Sequence, residues 1–387
     1  MGRGREPAPR AERHSRLVPG VIAPGPAAAA ASEQKHLPQL DGLRALAVFA
    51  VLVSHLTAFG ESGGGYGVAL FFVLSGYLIT GILLRCRIAV EGGQSLLVTL
   101  RQFYVRRGLR ILPIVYLVLV VGWLLGDPEI RKLIWWHLGY VSNFLFSVQG
   151  YPAKTAHFWS LAVEEQFYLV WPLFIILCPR RAMVGCIGGL IVASAVFRII
   201  PALPWVPFPE MLTPTVSDAL CFGALLTLSE GNRPLARIID WAGPFAAVFV
   251  AASIAGLIPL GVIGTSAIYF CRGLAFAWVI ALAVRGSTPL LNNVLGARLP
   301  AYIGKISYGI YVFHPFVDAL YAHAVERWQL GSMHWAARFS VVTLTSIGLA
   351  AISWRFFEAP INALKRYFPY SVAEKRPILK GLVSGPT

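Results

Sequence analysis

Long apolar runs recur along the chain from residue 38 to residue 357, separated by short polar or Gly- and Pro-containing stretches. Each run approaches the ~20 residues a helix needs to cross a ~30 Å hydrocarbon core. The pattern predicts about ten membrane spans, over 38–58, 66–85, 109–126, 160–178, 182–200, 213–230, 240–259, 264–284, 303–325 and 336–357. Some runs are short or broken by Gly and Pro, so about nine or eleven crossings also fit. Backbone polar groups in lipid must be satisfied internally. The expected fold class is therefore all-α, a polytopic transmembrane helical bundle.

Composition agrees: 57% of residues are hydrophobic and 13% charged. Soluble domains carry about twice that charge, so water-soluble classes are excluded. The net charge of +15 follows membrane topology and does not suggest a nucleic-acid partner. Arginines crowd the N-terminal tail, the connection from Arg85 to Arg110 and the later connections of the same parity, with Lys365, Arg366, Lys375, Arg376 and Lys380 at the C-terminal end. The opposite loops hold few. The positive-inside bias puts both termini in the cytoplasm. Three regions follow: a basic cytoplasmic tail over 1–36 expected to be disordered, a transmembrane domain over 37–358, and a cytoplasmic tail over 359–387. No signal peptide is expected ahead of the first span. The five cysteines show no metal spacing and read as small core residues, and no metal site is expected.

Four stretches break the apolar rule. The first span, LDGLRALAVFAVLVSHL, carries Arg44 and His55. Eleven steps at ~100° return to nearly the same helix face, about 16 Å along it. Arg44 alone could snorkel behind an Asp41 helix cap, and His55 alone could bond a neighbouring helix. Together on one face they point to function. In FYVRRGLRILP, Arg106, Arg107 and Arg110 gather at the mouth of the third span. Such a cluster suits a multiply charged phosphate ligand or, more plainly, anionic lipid. In HFWSLAVEEQFYLVWPL, Ser160 is expected to cap a helix whose next turn carries Glu164 and Glu165. A carboxylate meeting His55 on the same membrane side would fix its tautomer and raise its basicity. In KISYGIYVFHPF, Ser307, Tyr311 and His314 share one helix face, with Tyr308 beside them and Pro315 expected to kink the span. FFVLSGYLITG reads as helix packing, with Ser75 and Gly76 allowing close approach.

Taken together, these motifs resemble the acyltransferase-3 family of integral membrane O-acyltransferases. The likeness rests on Arg44 and His55 in the first helix, FFVLSGYLIT in the second and Arg107 and Arg110 beside the third. FWSLAVEEQFYLVWP and ISYGIYVFHP add two further blocks, and all five occur in the family's order over about 37–358. The resemblance implies transfer of an acyl group, most often acetyl, from cytoplasmic acyl-coenzyme A to a hydroxyl of a carbohydrate. The expected acceptor is an envelope polysaccharide or lipopolysaccharide at the outer side of a bacterial inner membrane. Acylation of a small secondary metabolite such as a macrolide is the alternative, and a multi-span transporter is the alternative of another class. No tightly bound cofactor is expected. Some members carry an extracytoplasmic SGNH hydrolase-like domain. With only about 30 residues after the last span, this chain is expected to act alone, with a separate periplasmic partner, or on an acceptor that reaches the membrane.

The implied roles are these. Arg107 and Arg110 hold the coenzyme A phosphates, with Arg44 and Arg106 nearby. The pantetheine arm carries the thioester to His55, which acts as general base or takes the acyl group itself. Glu164 orients the imidazole or steadies its charge, and Glu165 is counted with it among the catalytic residues. Ser307, Tyr308, Tyr311 and His314 face the substrate and oxyanion.

Overall fold

The structure, a computed structural model, describes residues 37–57, 65–199, 206–258, 261–329 and 334–370. The predicted N-terminal tail lies outside the described residues. So does the stretch 371–387. No strand occurs among the described residues, so the all-α class holds. The helices are α1 (Pro38–Leu56), α2 (Tyr66–Glu91), α3 (Leu96–Leu124), α4 (Pro128–Leu138), α5 (Ser142–Gln149), α6 (Phe158–Leu177) and α7 (Met183–Ile199). They continue as α8 (Thr213–Ser229), α9 (Arg233–Ile254), α10 (Val262–Arg285), α11 (Pro289–Leu295), α12 (Arg298–Arg327) and α13 (Trp335–Ser353).

Seven helical stretches among the described residues are long and apolar enough to cross a membrane: α1, α2, α3, α6, α9, α10 and the run from Trp335 to Tyr367. The other predicted spans coincide with α7 and α8, of 17 residues each, and with the 30-residue α12. The first two are short for a full crossing. The third is diluted by the polar residues that drew attention to it. The exterior is apolar, as lipid requires: Leu169, Val170, Leu173 and Leu177 form an exposed stripe along α6. A water-soluble bundle would turn that stripe inward. The chain is a multi-pass membrane protein.

Boundaries differ from expectation where an apolar stripe outlasts the apolar run. α3 begins well before residue 109 because Thr99 and Phe103, one turn apart, are buried against the bundle. The last span does not stop near 358. It passes through a π-helical turn, Trp354–Glu358, and continues helically to Tyr367. Residues 359–367 are thus helical and pack against α3. The short α4 and α5 fill a connection in which no element was predicted. Asp127 caps α4, accepting from the N–H groups of Glu129 and Ile130 at 3.0 and 3.1 Å.

Two close helix pairs set the core. α2 lies on α8, and α1 lies on α12. Gly76 of α2 meets the backbone carbonyl of Leu220, and Gly304 of α12 meets that of Asp41, so closely that any Cβ would collide. This is the small-residue packing expected between helices in lipid. The second contact brings α1, with Arg44 and His55, against the polar face of α12.

Candidate active site

A cavity enters the bundle among α1, α2, α3, α6 and α12. It encloses about 740 Å³ of non-atom space, open mouth included. Arg44, Arg107 and Arg110 line it together with Glu164, and Tyr311 and Ser160 also line it. Five elements far apart in sequence therefore converge on one basic pocket.

The arginines divide by role. Arg44 donates to Asp41 at 2.6 Å, so Asp41 steadies a cavity residue and does not cap α1. Arg107 lies over the Tyr168 ring at 4.7 Å. Arg110 faces Arg107 and Arg44, and Lys365 stands nearby. So many cations around one cavity repel each other unless an anion joins them. Arg106 departs from the expected group. It donates to the carbonyls of Lys365 and Phe368 at 2.9 and 3.2 Å and lies over the Tyr370 ring at 4.6 Å. It clasps the end of the last helix and is absent from the cavity lining.

The carboxylates also separate. Glu164 lines the cavity beside Tyr168 and Ser75 and faces Arg107 and Arg110. Glu165 is absent from the cavity lining; it lies near Tyr140, Tyr116 and Arg107, and its Oε1 is buried without a hydrogen-bond partner. The reason is helical: adjacent residues lie ~100° apart and cannot share a face. The expected carboxylate–His55 contact is not the one that forms. His55 Nδ1 lies 2.8 Å from His314 Nε2, and the two rings stack with centroids 5.0 Å apart.

α12 links cavity and histidines. Ser307 donates to its own helix, to the Gly304 carbonyl at 2.8 Å, and Tyr308 donates to the Ile111 carbonyl at 3.0 Å; both line the cavity. One turn on, the Tyr311 hydroxyl sits 2.6 Å from Ser160 Oγ and 3.1 Å from the His157 carbonyl. Ser160 is thus no helix cap; the cap position falls at His157, three residues earlier. Tyr311 and Ser160 line the cavity, whereas His55 and His314 do not. The cavity expected to run from the arginines to His55 reaches Ser160 and Tyr311 and stops short of the histidines. His314 is fully buried behind Tyr311, and His55 is exposed at the surface of the bundle.

Several site residues escaped sequence reasoning. Tyr168 and Ser75 contact each other through their hydroxyls and line the cavity. Tyr168 lies four residues after Glu164, a spacing that could have found it. For Ser75 the sequence pattern predicts packing alone. His157 is buried, with neither ring nitrogen hydrogen-bonded, its centroid 5.6 Å from that of His314. Its place beside the quoted FWSLAVEEQ block was the available signal. Glu358 is buried in the π turn, accepts from Ser353 at 2.9 Å and faces Arg110. π-helical turns often mark functional positions, but no sequence pattern announces them.

This site defines a membrane-embedded protein with an arginine-lined cavity that reaches Ser160 and Tyr311 and a histidine pair just beyond its lining. The chain belongs to the acyltransferase-3 family: the family's acyltransferase domain matches residues 37–355. Among curated proteins it is 31% identical to the peptidoglycan O-acetyltransferase OatA of Listeria monocytogenes, with 90% of this chain and 61% of that protein covered. YrhL of Bacillus subtilis, provisionally named a peptidoglycan O-acetyltransferase, is 32% identical over 85% of this chain and 55% of its own length. A provisionally named O-acetyltransferase of Staphylococcus aureus is 28% identical, with 85% and 58% covered. The chain therefore spans little more than half the length of these relatives. No solved structure matches it.

Proposed function

We propose that this protein transfers an acetyl group from acetyl-coenzyme A to a hydroxyl of a cell-envelope glycan, with peptidoglycan the leading acceptor. The acceptor is suggested by the names of the relatives. The observation that carries the mechanism is the basic cavity ending at Tyr311, one helical turn from the His55–His314 pair. In this reading the protein is a bacterial inner-membrane enzyme whose arginine mouth faces the cytoplasm, as the positive-inside bias supports.

Arg107 and Arg110, with Arg44, bind the phosphates of the donor through charge-assisted hydrogen bonds. Glu164 keeps the arginines apart and oriented when no donor is bound. The thioester arm runs up the cavity toward Ser160 and Tyr311. Separation of these hydroxyls opens the way to the histidines. Tyr311 can then donate to the oxyanion that forms on the thioester carbonyl. The acceptor oxygen attacks that carbon as His55 removes its proton. The C–S bond breaks, the proton passes from His55 to the thiolate, and the products are an ester and free coenzyme A. An acyl-histidine route uses the same ring and differs in having two displacements.

The deciding experiment uses purified protein in lipid vesicles, acetyl-coenzyme A and soluble peptidoglycan fragments. Release of free thiol with a matching gain of acetyl mass on the glycan is the expected result. His55→Ala should insert normally, retain donor binding and lose at least about 10³-fold in turnover. Full activity in that variant ends the mechanism. Donor binding without any glycan acetylation redirects the search to another acceptor.

A further inference from the structure

We infer that His314 is a positioning residue that fixes the proton arrangement of His55, leaving Nε2 of His55 as the reactive atom. The inference rests on the acyl-transfer reading for its catalytic meaning, though its structural half stands without it.

A helical residue normally donates its N–H to the carbonyl four positions earlier. Pro315 has no N–H, yet α12 runs through it from Arg298 to Arg327. The Tyr311 carbonyl therefore loses its helical donor. His314 takes that vacancy: its Nδ1 lies 2.8 Å from the Tyr311 oxygen. A carbonyl oxygen only accepts, so His314 Nδ1 carries the hydrogen.

The neutral imidazole has one N–H. With Nδ1 donating, Nε2 of His314 holds a lone pair. That nitrogen lies 2.8 Å from Nδ1 of His55. One of the two nitrogens must donate, and it has to be His55 Nδ1. Its own Nε2 is then bare, free either to accept a proton or to attack a carbonyl. A doubly protonated His314 would reverse this order. It would also bury a charge in a ring with no exposed surface and with no carboxylate hydrogen-bonded to it among the described residues. Asp318, one turn along α12, is the carboxylate that acts on His55, and it is ion-paired with Arg338 at 2.6 Å. His157, the other imidazole facing the pair, makes no hydrogen bond through its ring.

The missing backbone N–H of Pro315 thus sets one tautomer, and that tautomer sets the next. When His55 takes a proton from the acceptor hydroxyl at Nε2, its Nδ1–H remains held by His314. The proton then leaves Nε2 for the departing thiolate, and both rings return to their starting state.

The test combines a spectroscopic signature with a graded pair of variants. The nitrogen-15 spectrum of histidine-labelled protein in detergent, assigned with His55→Gln, should show His55 Nε2 as pyridine-like and Nδ1 as pyrrole-like. In His314→Leu the His55 signals should average between tautomers, and turnover should fall ~10- to 100-fold with the KM for acetyl-coenzyme A within about twofold. His314→Gln offers an amide oxygen to His55 Nδ1 and should restore most of the loss. Pro315→Ala returns a competing N–H to the Tyr311 carbonyl and should partly scramble both rings. A pyridine-like Nδ1 on His55 in the unaltered protein overturns the inference. So does an equal loss in His314→Leu and His314→Gln, which marks a packing role alone. Absence of acyl transfer in the unaltered protein defeats the functional reading instead, and the spectrum still decides the tautomer.

Discussion

The hydroxyls of Ser160 and Tyr311 sit 2.6 Å apart, and the pair stands between the arginine-lined cavity and the His55–His314 couple. The same tyrosine meets the cavity with its side chain and holds His314 with its backbone carbonyl. Tyr311→Phe keeps the ring and the carbonyl but removes the donor to an oxyanion. Turnover should fall ~10²- to 10³-fold with the donor KM nearly constant. Steady-state kinetics at varied acetyl-coenzyme A decides this, and an unchanged kcat would remove Tyr311 from the chemistry.

Neighbouring arginines should behave differently. Arg107→Gln or Arg110→Gln removes a charged donor from the cavity and should raise the donor KM ~10- to 100-fold, from about 1.5–3 kcal/mol per charged hydrogen bond. Arg106→Gln should leave that KM unchanged. It strips the carbonyls of Lys365 and Phe368 of their donor and should cost about 1–3 kcal/mol of stability. Binding isotherms and thermal unfolding in the same detergent separate the two effects.

Glu165 gives a contrast with Glu164. Its Oε1 is buried without a partner, and Tyr140, Tyr116 and Arg107 lie around it. Glu165→Gln should keep turnover within about twofold. It should change stability by no more than about 1 kcal/mol, because the amide still leaves a polar group at the same buried place. A large loss of turnover would return Glu165 to the site.

Outside the spans, Asp127 caps α4 and accepts from Lys154 Nζ at 2.5 Å. Burial alone would lift its carboxyl, but the Lys154 ammonium and the Ile130 and Glu129 N–H groups outweigh burial and hold it below its ordinary 3.8. A carboxyl depressed in the folded state adds stability above its unfolded value and loses that contribution as the pH falls through the folded one. Asp127→Ala should cost about 0.5–2 kcal/mol at neutral pH. The gap from the unaltered protein should shrink as the pH drops below 3.8. Unfolding midpoints measured across that range provide the check; a gap independent of pH would show that the charge of Asp127 contributes nothing.

The helices were legible because lipid leaves an apolar run almost no alternative to helix. The facing of α1 and α12 was legible too, since helical spacing alone aligns Arg44 with His55 and Ser307 with Tyr311 and His314. What spacing does not encode is which face meets which. His55 finds its partner 259 residues later, in an imidazole where a carboxylate was expected. Arg106 has the same composition cues as Arg107 and Arg110, yet the unforeseen extension of the last helix to Tyr367 captures it. Glu358 and Lys365 stayed hidden for the same reason. They enter the site only because that helix continues past its predicted end.

A thin seal has an electrical side. If water fills the arginine vestibule below Tyr311 and reaches the exposed edge of His55 above it, the insulating layer there narrows from a full bilayer to a few side chains. The transmembrane voltage would then drop across that short gap, at ~2.3 kcal/mol per elementary charge per 100 mV. In the proposed reaction the acceptor's proton passes inward with the departing thiol while the acyl group goes outward, so that proton would feel most of the drop at once, tying the rate of the proposed acyl transfer to the energised state of the cell.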